Sequence, residues 1–243
     1  MQLKVVFLRF GGREMAILTR LGKVLTSEII RDTRHKKNEQ AKEEKDLLHF
    51  MKQRRTFKKL GKRVIFNRPY LNNLIKESVR CCPSALNSQS VRVVILTDDA
   101  HFKFWHMVKE VQKQNLPAHI AESAIMKIDG CSDAFGTVLF FEDNDVISAL
   151  QKQKPLQASE FALWSEQTSG MAQFAVWTAL TSIGLGAALQ HYNPLINEET
   201  TKMFDLPESW DFKAQLVFGS VQAAAKEKSV EDDETMFKYF NAI

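Results

Sequence analysis

Three apolar runs constrain this chain more than anything else in it: Val91–Thr97 (VRVVILT), Gly136–Glu142 (GTVLFFE) and Ala214–Gly219 (AQLVFG). Each is short, rich in β-branched or aromatic residues and nearly free of polar interruption. Such runs read as strands covered on both faces. Helical patterns lie between them. Tyr70–Cys82 places Leu71, Leu74, Ile75 and Val79 on one face, and Pro83 closes it. Asp98 and Asp99 make a turn and cap a helix over Ala100–Gln114, with Phe104, Trp105, Val108 and Val111 inward. Ser165–Ile183 is a long apolar helix that Gly184 and Gly186 end. Strands alternating with helices of this length predict an α+β or α/β layered domain.

The ends differ from this body. Residues 1–46 carry eleven Lys/Arg against seven Asp/Glu, so the net charge of +4 belongs to them and the remainder is neutral. The body therefore lacks the basic balance of a nucleic-acid-binding face. Arg31–Asp46 is almost wholly charged and reads as a solvated helix or a linker. Arg9, Arg13 and Arg20 among apolar residues suit a targeting segment, whereas Glu14 and the lack of serine before Ser27 speak against one. Two regions are expected: an extension, 1–46, and a domain, 47–243. A hydrophobic share of 44% is ample for a core, yet no run reaches the roughly 18 residues a membrane span requires. The three cysteines form no CxxC and the six histidines no HExxH, so neither a disulfide framework nor a metal site is expected. A reducing, cytoplasmic setting follows.

Three stretches carry chemistry. Arg54-Arg55-Thr56-Phe57-Lys58 puts three cations and a hydroxyl within five residues, the donors a phosphate monoester needs. By itself it is equally a solvated turn. Pro83–Ser90 (PSALNSQS) offers amides that suit the carbonyl and imide edge of a heteroaromatic ring, or an ordinary Asx turn. Gly184–Pro194 (GLGAALQHYNP) lets backbone approach a flat ligand, or forms a helix end followed by a core strand. It follows a helix and lacks the GxGxxG spacing, which disfavours a Rossmann site.

Taken in order, these stretches resemble the nitroreductase family from about Leu47 to Phe240. The likeness is to small bacterial and fungal members with Asn87-Ser88-Gln89, Phe140-Phe141-Glu142-Asp143, Trp164-Ser165-Glu166-Gln167 and Leu189-Gln190-His191-Tyr192-Asn193-Pro194. The resemblance implies an α+β fold with a mostly antiparallel central sheet flanked by helices. It also implies an intertwined homodimer with FMN at the interface. It places Arg54, Arg55, Thr56 and Lys58 on the FMN phosphate, joined by Lys228 near the C-terminus. It brings Ser84, Asn87 and Gln89 to the flavin from the other subunit, and sets Leu189, Gln190 and His191 over the ring. Met236 stands where the family often has an arginine. The stretch between Leu116 and Asp133 is expected to be a short loop, with Trp164-Ser165-Glu166-Gln167 a helix start.

The implied activity is ping-pong hydride transfer from NAD(P)H to a nitroaromatic, quinone or similar small-molecule acceptor, with no nucleic-acid or membrane partner. No catalytic triad is needed because the cofactor carries the reaction. His191 is a candidate proton donor or orienting residue. Trp164, Phe161 and Tyr192 either line the acceptor pocket or pack in the core. A flavin-binding redox sensor with little turnover is the competing reading.

Overall fold

The computed structural model describes residues 47–240, and the 1–46 extension lies outside the described residues. After a helical stretch over 47–53 (α1), the order is β1 (Leu60–Gly61), α2 (Arg68–Arg80), β2 (Val91–Thr97), α3 (Asp98–Asn115), α4 (Ala118–Ser132), β3 (Gly136–Asp143), α5 (Asn144–Gln153) and α6 (Ala158–Ser182). Then come β4 (Gly186–Gln190), α7 (Asn197–Phe204), β5 (Trp210–Val221) and a single turn, α8 (Asp233–Met236). The five strands form one sheet in the order β1-β5-β3-β2, with β4 also on β5, and every pairing is antiparallel.

The sheet separates two apolar layers because side chains alternate along a strand. On β3, Leu139 and Phe141 point to the layer holding Phe104, Trp105, Val108 and Ile128 of α3 and α4. Val138 and Phe140 point the other way, to Leu71 and Ile75 of α2 and Ala172, Val176 and Leu180 of α6. All eight residues of β3 are buried, as its unbroken apolar run predicts. Truncating Phe140 to alanine is worth about 3–5 kcal/mol.

Local rules set the ends of the elements. Asn67 caps α2 by accepting from the Tyr70 N–H at 2.9 Å, with Pro69 in the first turn where no N–H is missed. Gly184, at φ 80°, turns the chain out of α6 as a left-handed cap. A Cβ at Gly219 would run into the Gly61 carbonyl oxygen, so the β1–β5 crossing demands glycine.

Several expectations are corrected. The Val91–Thr97 run is a strand that packs against both layers but is only partly buried. It is the sheet edge, and only Leu96 in it is buried. The stretch between Leu116 and Asp133 is a helix rather than a loop, anchored by Ile128 and Cys131. The long apolar helix starts at Ala158, so Trp164-Ser165-Glu166-Gln167 lies inside it. The chain turns at Asp98 with φ 54°, and Thr97 makes no side-chain cap bond. Among the described residues no helix is long and apolar enough to cross a membrane.

Candidate active site

The basic cluster follows α1 as extended chain and docks on the sheet. Thr56 bridges Ala187 of β4 in a parallel sense, and the Phe57 N–H donates to the Ala187 carbonyl at 3.1 Å. This pairing sets Arg54–Lys58 beside the strand that ends in Leu189 and Gln190. From the other side comes the chain beyond β5, where Lys226 accepts at its carbonyl from Arg55 Nη2. The result is a cavity of about 560 Å³ lined by Arg54, Arg55, Thr56, Lys58, Lys226 and Lys228, among others. Lys59 lines it too. The expected Arg54, Arg55, Thr56, Lys58 and Lys228 thus meet in one place, and Lys59 and Lys226 join them. Met236 lies outside that lining, on α8.

Electrostatics single out Arg54. Its guanidinium lies 4.6 Å from the Trp177 ring centroid and 5.7 Å from that of Phe174. Its Nε is buried with no hydrogen-bond partner. Burial, and then the Arg55 charge beside it, lower its pKa from the ordinary arginine value, yet an arginine cannot shed its proton in a protein. Two adjacent cations, one with an unspent donor, form a site that an anion stabilises. The residues fit a phosphate group.

The second part lies elsewhere in the chain. The loop from Ser84 to Ser90 holds a 3₁₀ turn over Ala85–Asn87, and Leu86, Asn87 and Gln89 have φ of 51°, 55° and 49°. Asn87 and Gln89 are exposed and Ser84 half-buried. Ala85 and Leu86 share a cavity of about 360 Å³ with Trp164, Gln167, Thr168 and Met171 of α6. Within one chain this cavity has no lining residue in common with the basic one, so Ser84, Asn87 and Gln89 do not join the arginines there.

The third part follows β4. Leu189 and Gln190 are half-buried and His191 is exposed. The corner is fixed from beneath by Gln215, wholly buried on β5. Its Oε1 accepts from the Tyr192 N–H at 3.0 Å, and its Nε2 donates to Asn193 Oδ1 at 2.7 Å. Of the three candidate pocket aromatics, Phe161 is buried, and Tyr192 packs edge-on against Trp105 in the core. Trp164 lines the cavity it shares with Ala85 and Leu86. Among the described residues no group of histidine, cysteine and carboxylate side chains could hold a metal.

An antiparallel sheet between two apolar layers thus carries a basic cavity whose residues fit an anion. The chain belongs to the nitroreductase family: the family model of that description matches residues 51–220. A putative nitroreductase of Saccharomyces cerevisiae, HBN1, is 36% identical over 168 residues, covering 69% of this chain and 83% of that protein. The nitroreductase CinD from Lactococcus lactis, solved in complex with chloramphenicol, is 45% identical with a TM-score of 0.74, covering 80% of this chain and 99% of that one. A nitroreductase from Desulfitobacterium hafniense solved with bound FMN shares the fold at 17% identity and a TM-score of 0.60, over 81% of this chain and 98% of that one.

Proposed function

We propose that two copies of this chain form a homodimer that binds FMN and reduces nitroaromatic, quinone or similar electron-poor small molecules with NAD(P)H. The observation that carries the reading is the meeting of Arg54, Arg55, Thr56, Lys58 and Lys228 around one cavity, with Arg54 Nε left without a partner. When bound, FMN supplies the two-electron step, by accepting hydride from NAD(P)H and passing it on to the acceptor in a ping-pong sequence. Everything else falls to the protein. The two guanidinium groups, the Thr56 hydroxyl and the lysines hold the phosphate. Leu189, Gln190 and His191 lie against the ring, with exposed His191 orienting the acceptor. Ser84, Asn87 and Gln89 reach the ring of the other subunit's site, which accords with their separation from the basic cavity within a chain.

Support for the acceptor class comes from the Lactococcus lactis relative, solved with chloramphenicol and with 4-nitrophenol, both nitroaromatic. Support for the dimer comes from α6, which exposes Leu163, Met171 and Phe174 in a single chain. The tail adds Phe237, Tyr239 and Phe240, also exposed. Free Cys81, Cys82 and Cys131 accord with a reducing cytoplasm.

The test is the absorbance spectrum of the purified protein, followed by NAD(P)H oxidation with and without a nitroaromatic or a quinone. Flavin bands and acceptor-dependent turnover are expected, and Arg54→Ala/Arg55→Ala should be colourless. A colourless wild-type protein that refuses micromolar FMN overturns the reading. Flavin without acceptor-dependent turnover makes the chain a flavin-binding sensor instead.

A further inference from the structure

Leu86, Asn87 and Gln89 hold left-handed backbone within four residues. Each costs on the order of 1 kcal/mol for a residue with a side chain. Such a backbone persists only where its surroundings over-determine it. Inside the loop, the N–H groups of Asn87 and Ser88 donate back to Ser84 and Ala85 at 2.9 and 3.0 Å. Ser84 Oγ accepts from the Gln89 N–H at 3.0 Å. These bonds shape the turn but attach it to nothing beyond itself.

Ala85 and Leu86 lie against α6, and the side-chain attachment of the loop's far end comes from Arg92, the second residue of the strand that follows. Its Nη1 donates to the Gln89 carbonyl at 2.8 Å, and its Nη2 donates to Asp143 Oδ2 at 2.9 Å. Asp143 is itself fixed. Its N–H donates to the Ser90 carbonyl at 2.9 Å, and its Oδ1 accepts from the Asp145 N–H to cap α5. The two side chains are only 29% and 12% exposed, so water screens the pair weakly. A guanidinium is a rigid fork, which makes it suited to hold a carbonyl and a carboxylate at a set angle. Asp143 ends the Phe140-Phe141-Glu142-Asp143 segment, so this carboxylate links the loop to the central strand.

We propose that Arg92, braced by Asp143, is a positioning residue for the flavin ring: it fixes the Gln89 carbonyl and thereby aims Asn87 and Gln89. Arg92 touches the loop and not the ligand. The inference rests on the flavin reading above.

The discriminating probes are FMN and riboflavin, which share the ring and differ in the phosphate. Each is titrated into flavin-free, full-length protein by fluorescence quenching. Arg92→Gln is expected to weaken both ligands by one common factor, roughly ten- to a hundredfold for a lost charge-assisted bond. Its amides at 86–89 should exchange hydrogen faster, with the thermal midpoint within a few degrees of wild type. Arg55→Ala should weaken FMN and spare riboflavin. Should Arg92→Gln fail to fold, Asp143→Asn is read in its place, because it removes the charge and keeps an oxygen for the Asp145 N–H. A folded variant that binds riboflavin as the wild type does, or loses affinity for FMN alone, overturns the proposal. Wild-type protein that binds neither flavin ends the functional reading and this one with it. Wild-type binding with unaffected variants ends only this one.

Discussion

Arg54 lies over the indole of Trp177, 4.6 Å from the ring centroid, and that stacking sets where the arginine's remaining donors point. A cation held on an aromatic face gives up part of its hydration without gaining an ion pair. Arg54 is thus pre-oriented toward the basic cavity before any anion arrives.

Replacing Trp177 with leucine should therefore weaken FMN without removing any phosphate ligand. A cation–π contact of this kind is worth about 0.5–2 kcal/mol, which predicts a loss of roughly 2- to 30-fold in FMN affinity. Flavin fluorescence titration measures it. Riboflavin binding unchanged alongside the FMN loss assigns the effect to the phosphate end.

The outer face of α6 predicts assembly. Leu163 is 55% and Met171 41% exposed, on a helix whose buried side includes Phe161, Ala172, Val176 and Leu180. Charges placed on the exposed face should not disturb that side. Leu163→Asp/Met171→Asp should give a folded monomer by light scattering, with circular dichroism retained and FMN binding lost. A dimer of wild-type strength in this variant would put the interface elsewhere.

What the sequence could disclose followed from how local each signal is. The β3 run reads as buried because every one of its residues is covered. The β2 run is as apolar but lies at the sheet edge, and strand order is a long-range fact that the run does not contain. Strand β4, Gly-Ala-Ala-Leu-Gln, is short and built of small residues, and it forms only because β5 supplies a partner. Helix α4 escaped because its apolar residues spread around it, with Ile120 and Met126 left exposed. For the site, the phosphate cluster and the Pro83–Ser90 loop were legible as residue types at close spacing. Lys226 was legible beside Lys228 as a stand-in for the cation missing at Met236; Trp177, Arg92 and Gln215 were not, because each meets these segments from an element whose nearness depends on the fold.

Glu142 predicts an unusual pH dependence of stability. It is wholly buried, and neither carboxylate oxygen has a hydrogen-bond partner. Burial pushes its pKa from 4.5 up to about 7, with Ser90, Lys213 and Arg92 pulling it back down and Glu166 adding to the rise. Between those two values the folded chain keeps a proton that the unfolded chain has released, so stability falls as pH rises through the window. Glu142→Gln should flatten that decline and exceed the wild-type thermal midpoint at pH 8 by roughly 3–6 °C. Equal slopes for the two proteins between pH 5 and 8 would show that Glu142 does not titrate there.

Gln215 predicts a loss that joins stability to the site. Its side-chain amide makes two bonds from β5 to the Tyr192–Asn193 corner, and Asn193 in turn donates to the Phe212 carbonyl at 2.7 Å and to Asn197 Oδ1 at 2.8 Å. Leucine at 215 would keep the bulk and remove both bonds, stranding the Tyr192 N–H and Asn193 Oδ1. Stranded buried groups cost about 1–3 kcal/mol each, so chemical denaturation should show a clear drop in stability. The drop alone would be ordinary for a core change. The corner also carries His191, one residue before the lost bond, so the KM for the acceptor should rise, by more than FMN affinity falls, since the Arg54–Lys58 contacts to the phosphate are untouched. A variant with lower stability and an unchanged KM would leave Gln215 as a packing residue with no hold on the site.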